Sequence, residues 1–501
     1  MNILFVTSEY HPVAKAGGLA DAVASLAQAL RITGDSVQVV LPLYSSVHES
    51  GLSLERLPIP LGVPLGVHEE WVGIHTAELT GVTLFFLEHQ ELFQRGGIYG
   101  PEAARPWEDN LRRFALLSRG ALQLALALDL RPDVIHSNDW PTALVSTYHH
   151  LFYRQTQLAA ATTVFSIHNL GYQGIWPTGE ALHLGASSRQ LLETHLVTGS
   201  QINLVRSAVH VSDHVVTVSP RYAREILQQE FGFGLHEELR QRASHIDGIL
   251  NGIDIDEWNP ATDHLITAPF SVDNLAGKGL CKQQLQHDLG LSVRDDLPLV
   301  GMVTRLTDQK GIGELFGPGH GSFHRICTEL PLQFVILGSG ERWCEDEIRH
   351  LTAQLHNAAA FIGYDHALAH RIEAGADFFL MPSVYEPCGL NQMYSMRYGT
   401  IPVVTRTGGL ADTVDSATGI FIEDYSREGI FLALQQACHL WLYDKARLKR
   451  MRRAGMTRDF SWKHSAGEYR RLYQRYPEDD DGAGPPDAAM PDPSRIARRQ
   501  S

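Results

Sequence analysis

Cysteine is scarce in this chain and comes late: there are five in 501 residues, and none precedes Cys281. An odd number at scattered positions (Cys281, Cys327, Cys344, Cys388, Cys438) gives neither a disulfide framework nor a zinc-ligand spacing, so a reducing, cytoplasmic setting is expected. Positive charge is also short. With 42 Lys and Arg against 57 Asp and Glu, the formal net charge is −15. That argues against nucleic acid or an anionic membrane as main partner, while a few local basic residues still suffice for a small phosphate. A large neutral polymer is equally compatible. No uninterrupted apolar run is long enough to span a bilayer. The opening run Met1 to Thr7 has no basic n-region, so it reads as a strand and not as a signal peptide.

What is present is ordinary in bulk: 44% hydrophobic and 20% charged residues, in a length that allows two to four domains. Apolar strand candidates alternate with helical stretches, the mark of an α/β chain with parallel sheets covered by helices. In the first half they are residues 2–7, Val37 to Leu43, Val82 to Leu87, Val134 to His136, Thr163 to Ile167 and His214 to Val218. Between 251 and 265 the pattern breaks into turn chemistry, Asn251-Gly252-Ile253-Asp254 and then Trp258-Asn259-Pro260, which marks a hinge. A second series follows at Leu299 to Thr304, Gln333 to Leu337, Phe361 to Gly363, Asp377 to Met381 and Ile401 to Val404. Two sheet units with a cleft between them are expected. From Tyr476 the chain is rich in Asp, Pro, Gly and Ala, a tail that cannot bury apolar surface and reads as disordered.

Pro382 to Gln392 carries the most chemistry. It follows the apolar strand 377–381 and sets Glu386, Pro387, Cys388, Gly389 and Leu390 before a helix. Proline suits a first helical turn, and the small residues leave backbone N–H groups open to a ligand. Glu386 then stands at the carboxyl end of a strand, where open α/β sheets bind substrates. A neutral polyol with an anionic leaving group fits there, which points to sugar-nucleotide chemistry. Cys388 reads as a small residue at a helix start, since no partner base for a thiolate is evident.

Other strand ends add to this. Lys15-Ala16-Gly17-Gly18-Leu19 lies in the first strand-to-helix loop, where paired glycines admit a ligand and the lysine offers a point charge for phosphate. Arg305 and Lys310 flank one loop of the second unit, a guanidinium fork and an ammonium suited to a diphosphate, and cleft closure would bring Lys15 toward them. His136-Ser137-Asn138-Asp139-Trp140 and Ser166-Ile167-His168-Asn169 close two first-half strands, and their acid, imidazole and aromatic groups suit sugar hydroxyls and a pyranose face. Arg406-Thr407-Gly408-Gly409-Leu410 is a further loop of backbone donors. Asp254-Ile255-Asp256 resembles the Asp-x-Asp of metal-dependent sugar transferases, but its place after Asn-Gly reads as a turn, and no metal is expected.

Together these segments resemble the bacterial glycogen synthases and plant starch synthases, in register from Met1 to about Arg475. The resemblance rests on Lys15 to Asp21, Ile98-Tyr99-Gly100, Asp139-Trp140, His168 to Gly174, Val218 to Glu225 and Ile249 to Asp254. It continues through Arg305-Leu306, Gln309-Lys310-Gly311, Glu386 to Leu390 and Thr407 to Val414. It implies a GT-B fold, two Rossmann-like parallel-sheet domains facing a central cleft. Residues 1–255, completed by helices near 457–475, would be the acceptor side, and 265–456 the nucleotide-sugar side. It further implies a retaining, metal-independent transfer of glucose from ADP-glucose (or UDP-glucose) to glycogen or another α-1,4-glucan, with no cofactor. Lys15, Arg305 and Lys310 would hold the donor diphosphate, Glu386 and His168 the transferred glucose, with Asp139 on the acceptor side and Tyr99 lining the cleft. Gly17, Gly18, Asn251, Cys388, Gly389, Leu390, Thr407, Gly408 and Gly409 complete the expected binding set.

Three positions depart from that pattern: Pro141 replaces a polar residue after Asp-Trp, Arg206 replaces a lysine, and Gly313 to Gly321 carries four glycines and a proline where a helix is usual. A regular helix is not expected over that stretch. Two alternatives stay open at this point: a related transferase with another donor or acceptor, and a glucan-binding scaffold of weakened activity. Retention of Lys15, Asp139, His168, Arg305, Lys310 and Glu386 argues against the scaffold.

Overall fold

A computed structural model describes residues 1–66, 68–101, 105–317, 319 and 321–475. The tail after Arg475 lies outside the described residues. The first half builds a ten-stranded sheet. Its order from edge to edge is Ile246–Gly248, His214–Thr217, Thr162–Ile167, Val134–Asn138, Asn2–Val6, Ser36–Pro42, Val82–Glu88, His68–Leu79 and Glu55–Arg56, with Leu61–Leu65 pairing off His68–Leu79. The strands from Ile246–Gly248 to Val82–Glu88 are parallel; the remainder is an antiparallel extension. Ile3, Leu4, Phe5 and Val6 are all buried, as a central strand covered on both faces requires.

The second half builds a six-stranded, fully parallel sheet in the order Ala358–Ile362, Gln333–Gly340, Leu299–Leu306, Phe378–Met381, Ile401–Thr405 and Ile420–Ile422. Here too the strand interiors are apolar: Phe378, Phe379 and Leu380 are buried, as are Val403 and Val404. The chain then returns. The helix Trp462–Tyr473 puts Trp462, Ala466, Tyr469, Leu472 and Tyr473 into the core of the first half. Its Tyr473 hydroxyl lies 2.7 Å from His136 Nδ1, while His136 Nε2 lies 2.6 Å from Ser166 Oγ. Burial pushes the His136 imidazole down to about 3, so it is a neutral link between this helix and the sheet. His136 therefore serves the fold, one residue pair away from the strand end where chemistry was expected.

Three sequence expectations change. Pro387 does not open a helix: the next helix is Asn391–Arg397, and residues 386–390 form a loop with Gly389 at φ +70°. The glycine-rich stretch is partly helical after all, because Ile312–Phe316 forms a short helix whose Leu315 and Phe316 are buried. It breaks at Gly317, and after Gly321 (φ +54°) a second helix spans Phe323–Glu329. A Cβ on Gly321 would lie 2.1 Å from the Leu315 carbonyl oxygen, so glycine is required where the two helices meet. Pro318 and His320 lie outside the described residues. Finally, the hairpin strands Leu61–Leu65 and His68–Leu79 were not foreseen, since their buried residues alternate with half-exposed ones (Leu61, Val63, Leu65) and form no continuous apolar run.

Candidate active site

Sheet order decides which loops meet. Asn2–Val6, Val134–Asn138 and Thr162–Ile167 are adjacent parallel strands, so the loops at their carboxyl ends share one edge. These loops carry Glu9 and Lys15, Asp139, and His168. Asp139 has φ 60° and ψ 178°, a backbone conformation costly for any residue but glycine. Its side chain compensates by accepting backbone hydrogen bonds from His168 (2.9 Å) and Asn169 (3.3 Å), which locks one strand end to the next. Burial nevertheless pushes its carboxyl up to about 7. His168 Nε2 lies 3.1 Å from Asn138 Oδ1, and the Asn138 amide nitrogen donates to the carbonyls of Val6 and His136. That orientation makes Asn138 Oδ1 an acceptor, so His168 carries its proton on Nε2 and keeps a lone pair on Nδ1. Burial lowers the imidazole to about 4, so it is neutral.

Tyr99 donates its hydroxyl to Glu9 Oε1 (2.6 Å) and accepts from Ser8 Oγ (2.9 Å). Its ring begins an aromatic series with Trp140 (centroids 5.9 Å apart) and Trp176, 5.7 Å beyond. Pro141, the first departure from the family pattern, is buried in the short turn Trp140–Thr142. Glu9 Oε2 accepts from the backbone N–H groups of Ala16 and Gly17, each at 2.7 Å. The glycine loop is thus shaped by a buried carboxylate, and a Cβ added at Gly18 would meet Leu390 of the other half at 3.7 Å, an ordinary contact. The Lys15 ammonium pairs with Asp21 at 2.8 Å. Burial opposes its charge, and Asp21 more than offsets this, holding the ammonium above its usual range.

In the second half, Leu299–Leu306, Phe378–Met381 and Ile401–Thr405 are adjacent, which gathers the loops of Arg305 and Lys310, of Glu386, and of Thr407 to Gly409. Glu386 is 5% exposed and its Oε2 receives Lys310 Nζ at 2.5 Å and Ser383 Oγ at 2.9 Å. Arg305 stands exposed beside them. Lys310 ends the turn Asp308–Lys310, and the following Gly311 (φ +77°) would place a Cβ 2.0 Å from the Pro382 carbonyl oxygen. The lysine loop is therefore seated on the glutamate loop upstream of the helix break at Gly317, so that break leaves the Lys310–Glu386 pairing intact.

The donors of the 407–409 loop, expected to face a ligand, are engaged with protein groups. Gly408 N–H reaches both oxygens of Glu225 (3.1 and 3.0 Å), Thr407 Oγ1 donates to Glu225 (3.2 Å), and Gly409 N–H donates to the Glu386 carbonyl (3.0 Å). A Cβ on Gly408 would sit 2.0 Å from that same carbonyl oxygen, so this loop sets the height of Glu386. Cys388 is buried, and its thiol is pushed up to about 12 by burial although the Asn251 backbone N–H points to the sulfur, which leaves it unreactive. Asp254 Oδ1 caps the N–H groups of Asp256 and Glu257, a turn as its sequence suggested.

Asn169 joins the halves too, at the catalytic candidates. Asn169 Nδ2 donates to Gln309 Oε1 (3.3 Å) and Asn169 Oδ1 accepts from the Tyr385 hydroxyl (3.3 Å). Asn169 follows His168 directly, and Gln309 and Tyr385 directly precede Lys310 and Glu386. The arrangement therefore brings Asp139, His168, Lys310 and Glu386 to one cleft. Sequence reasoning did not single out Glu9, Asn169, Gln309, Tyr385 or Glu225 as site residues. For Glu9 the signal was available, an acid just past a strand end; Glu225 lies on a helix, and only tertiary packing aims it at Gly408.

Residues 2–241 match the family described as starch synthase catalytic domain, and residues 290–457 match glycosyl transferases group 1. A glycogen synthase of Treponema denticola is 41% identical over 482 residues, covering 94% of this chain and 98% of its own. One from Anaeromyxobacter sp. (strain Fw109-5) is 42% identical, covering 95% and 99%. Among solved structures, the catalytic domain of starch synthase IV from Arabidopsis thaliana, bound to ADP and acarbose, superposes with a TM-score of 0.87 at 35% identity, covering 94% of this chain and 98% of that one. With its two largely parallel sheets and a composite cleft between them, the chain belongs to the glycogen and starch synthase family of glycosyltransferases.

Proposed function

We propose that this enzyme transfers glucose from ADP-glucose to the non-reducing end of an α-1,4-glucan with retention of configuration, in the cytoplasm and without a metal. The observation that carries this reading is the Asn169 bridge to Gln309 and Tyr385, which sets Asp139 and His168 opposite Lys310 and Glu386. Residues 1–255 with 457–475 supply the acceptor side, and 265–456 the donor side. Lys310 and Arg305 receive the leaving diphosphate, and Lys310 exchanges its contact with Glu386 for phosphate as the donor arrives. Glu386 and the Nδ1 lone pair of His168 accept hydroxyls of the transferred glucose, and the Tyr99, Trp140 and Trp176 rings line the glucan path. The bond from glucose C1 to the diphosphate breaks as the acceptor hydroxyl attacks from the same face, its proton passing to the departing phosphate oxygen. The starch synthase IV structure holds bound ADP, which supports the adenine donor.

Labelled glucose should enter glycogen from ADP-glucose in the presence of EDTA, and much more slowly from UDP-glucose. Equal or faster incorporation from UDP-glucose would reverse the donor assignment. Lys310→Ala should raise the donor KM by about 10- to 150-fold, the equivalent of a charge-assisted phosphate contact of about 1.5–3 kcal/mol. An unchanged donor affinity by calorimetry would remove Lys310 from the diphosphate site.

A further inference from the structure

We propose that Glu257, His366 and His370 form a binding site for a divalent transition-metal ion of the zinc class, separate from the transfer centre. One ligand atom from each of these side chains lies within 4.8 Å of those of the other two. His366 and His370 are four residues apart on the helix His366–Gly375, which puts both imidazoles on one face. Glu257 comes from the segment that connects the two sheets. His366 Nε2 and Glu257 Oε1 are already 3.3 Å apart, close to the roughly 3.3 Å edge of a tetrahedron with metal–ligand bonds of about 2.0–2.1 Å.

The second observation is the state of His370. Its side chain is 1% exposed, and its Nε2 has no hydrogen-bond partner among the described residues. Its Nδ1 lies 2.8 Å from Asp263 Oδ2, and the same carboxylate oxygen accepts the Tyr398 hydroxyl at 2.6 Å. That is the carboxylate–histidine arrangement that fixes the tautomer of a metal ligand, with the proton on Nδ1 and the lone pair on Nε2. Trp258 stacks on the His370 ring with centroids 3.8 Å apart and holds its plane. The simpler reading, a Glu257–His366 ion pair beside a structural histidine, leaves a buried nitrogen unsatisfied; a bound ion satisfies it. Two imidazoles and one carboxylate suit zinc better than magnesium or calcium, which prefer oxygen donors alone. A water completes the tetrahedron from the half-exposed side of His366 and Glu257. Bound metal would pin the connecting segment to the helix His366–Gly375. It shares no residue with the transfer centre, although the Glu257 carboxylate is near enough to Lys15 to help hold that ammonium charged.

The test uses the full-length protein, stripped with EDTA, dialysed, and titrated with zinc chloride by calorimetry. Competition from thiols is small, because all five cysteines are buried and Cys327, Cys344, Cys388 and Cys438 are each pushed up to about 12. Wild type should bind one equivalent at micromolar concentration or tighter, gain a higher unfolding midpoint with zinc, and give a visible ligand-field spectrum with cobalt(II). His366→Ala should lose that equivalent, the zinc-dependent stabilisation and the cobalt spectrum, while its midpoint without metal stays near wild type. Should that variant misfold, Glu257→Gln carries the same expectation. Zinc stoichiometry and affinity equal in wild type and variant, or no zinc bound by wild type, would overturn the proposal.

Discussion

Glu386→Ala is expected to lower kcat by about a thousand-fold or more, the scale of losing a preorganised charge beside the reacting centre. Before the donor arrives the carboxylate is held by three restraints, and two of them, Ser383 and the Gly408 contact, remain once Lys310 turns to the phosphate. Lys310 and Ser383 both donate to Oε2, and the close approach of Gly408 to its carbonyl fixes the backbone. Such a group presents its charge to the glucose without reorganising as the leaving group departs, so its removal acts on the transition state more than on binding. The fold should survive, because the Lys310 left behind sits at the cleft with 17% of its side chain exposed and can be hydrated. Glu386→Gln separates charge from position. It keeps a hydrogen-bonding group beside Ser383 but loses the negative charge, and an equally deep loss would assign the effect to charge. Turnover of the alanine variant within about tenfold of wild type, a barrier change of only about 1.4 kcal/mol, would take Glu386 out of the reaction.

Asp139→Asn should move activity and stability in opposite directions. The carboxyl of Asp139 is raised to about 7 by burial, against an ordinary value of 3.8. Between those two values the folded state holds a proton that the unfolded state has lost. Stability from this group is therefore present at low pH and falls as pH rises toward and through 7. Asparagine can still accept the His168 and Asn169 N–H bonds and never ionises. Above neutral pH the variant should be more stable than wild type by about 1–2 kcal/mol, a discounted share of the roughly 4 kcal/mol that three pH units would carry. Below pH 4 the two should unfold alike. Transfer should nevertheless fall by about a hundred-fold or more, if the ionised carboxylate serves the acceptor side. Wild-type activity should then rise with pH through about 7. Unfolding midpoints that track each other at every pH would show that burial does not set this carboxyl, and an active variant would remove it from the chemistry.

Much of this was legible in one dimension. A parallel strand buried on both faces writes itself as a continuous apolar run, so Phe378–Met381 and Val134–Asn138 could be placed from residue type, and the residue after such a run had to lie at a sheet edge. That logic found Asp139, His168, Arg305, Lys310 and Glu386. It misplaced the start of the helix after Pro387, because proline is as suited to the tight loop 386–390 as to a first helical turn. It also read the 386–390 and 406–410 loops as open backbone donors and Gly17-Gly18 as a turn that admits a ligand. The structure commits Gly17 to Glu9, Gly408 to Glu225 and Gly409 to the Glu386 carbonyl, and no local pattern could reveal partners that lie eight, 183 and 23 residues away.

The sequence by itself determined the α/β class, the strand-end positions of the candidate site residues and the family, since residue type and spacing carry each of these. Tertiary structure alone decided which of those residues share a cleft, through strand order and the Asn169 bridge. It alone set the Asp139 carboxyl near neutrality and left His370 Nε2 buried without a partner among the described residues. Burial and pairing are properties of surroundings, and the surroundings of a residue are assembled from the whole chain.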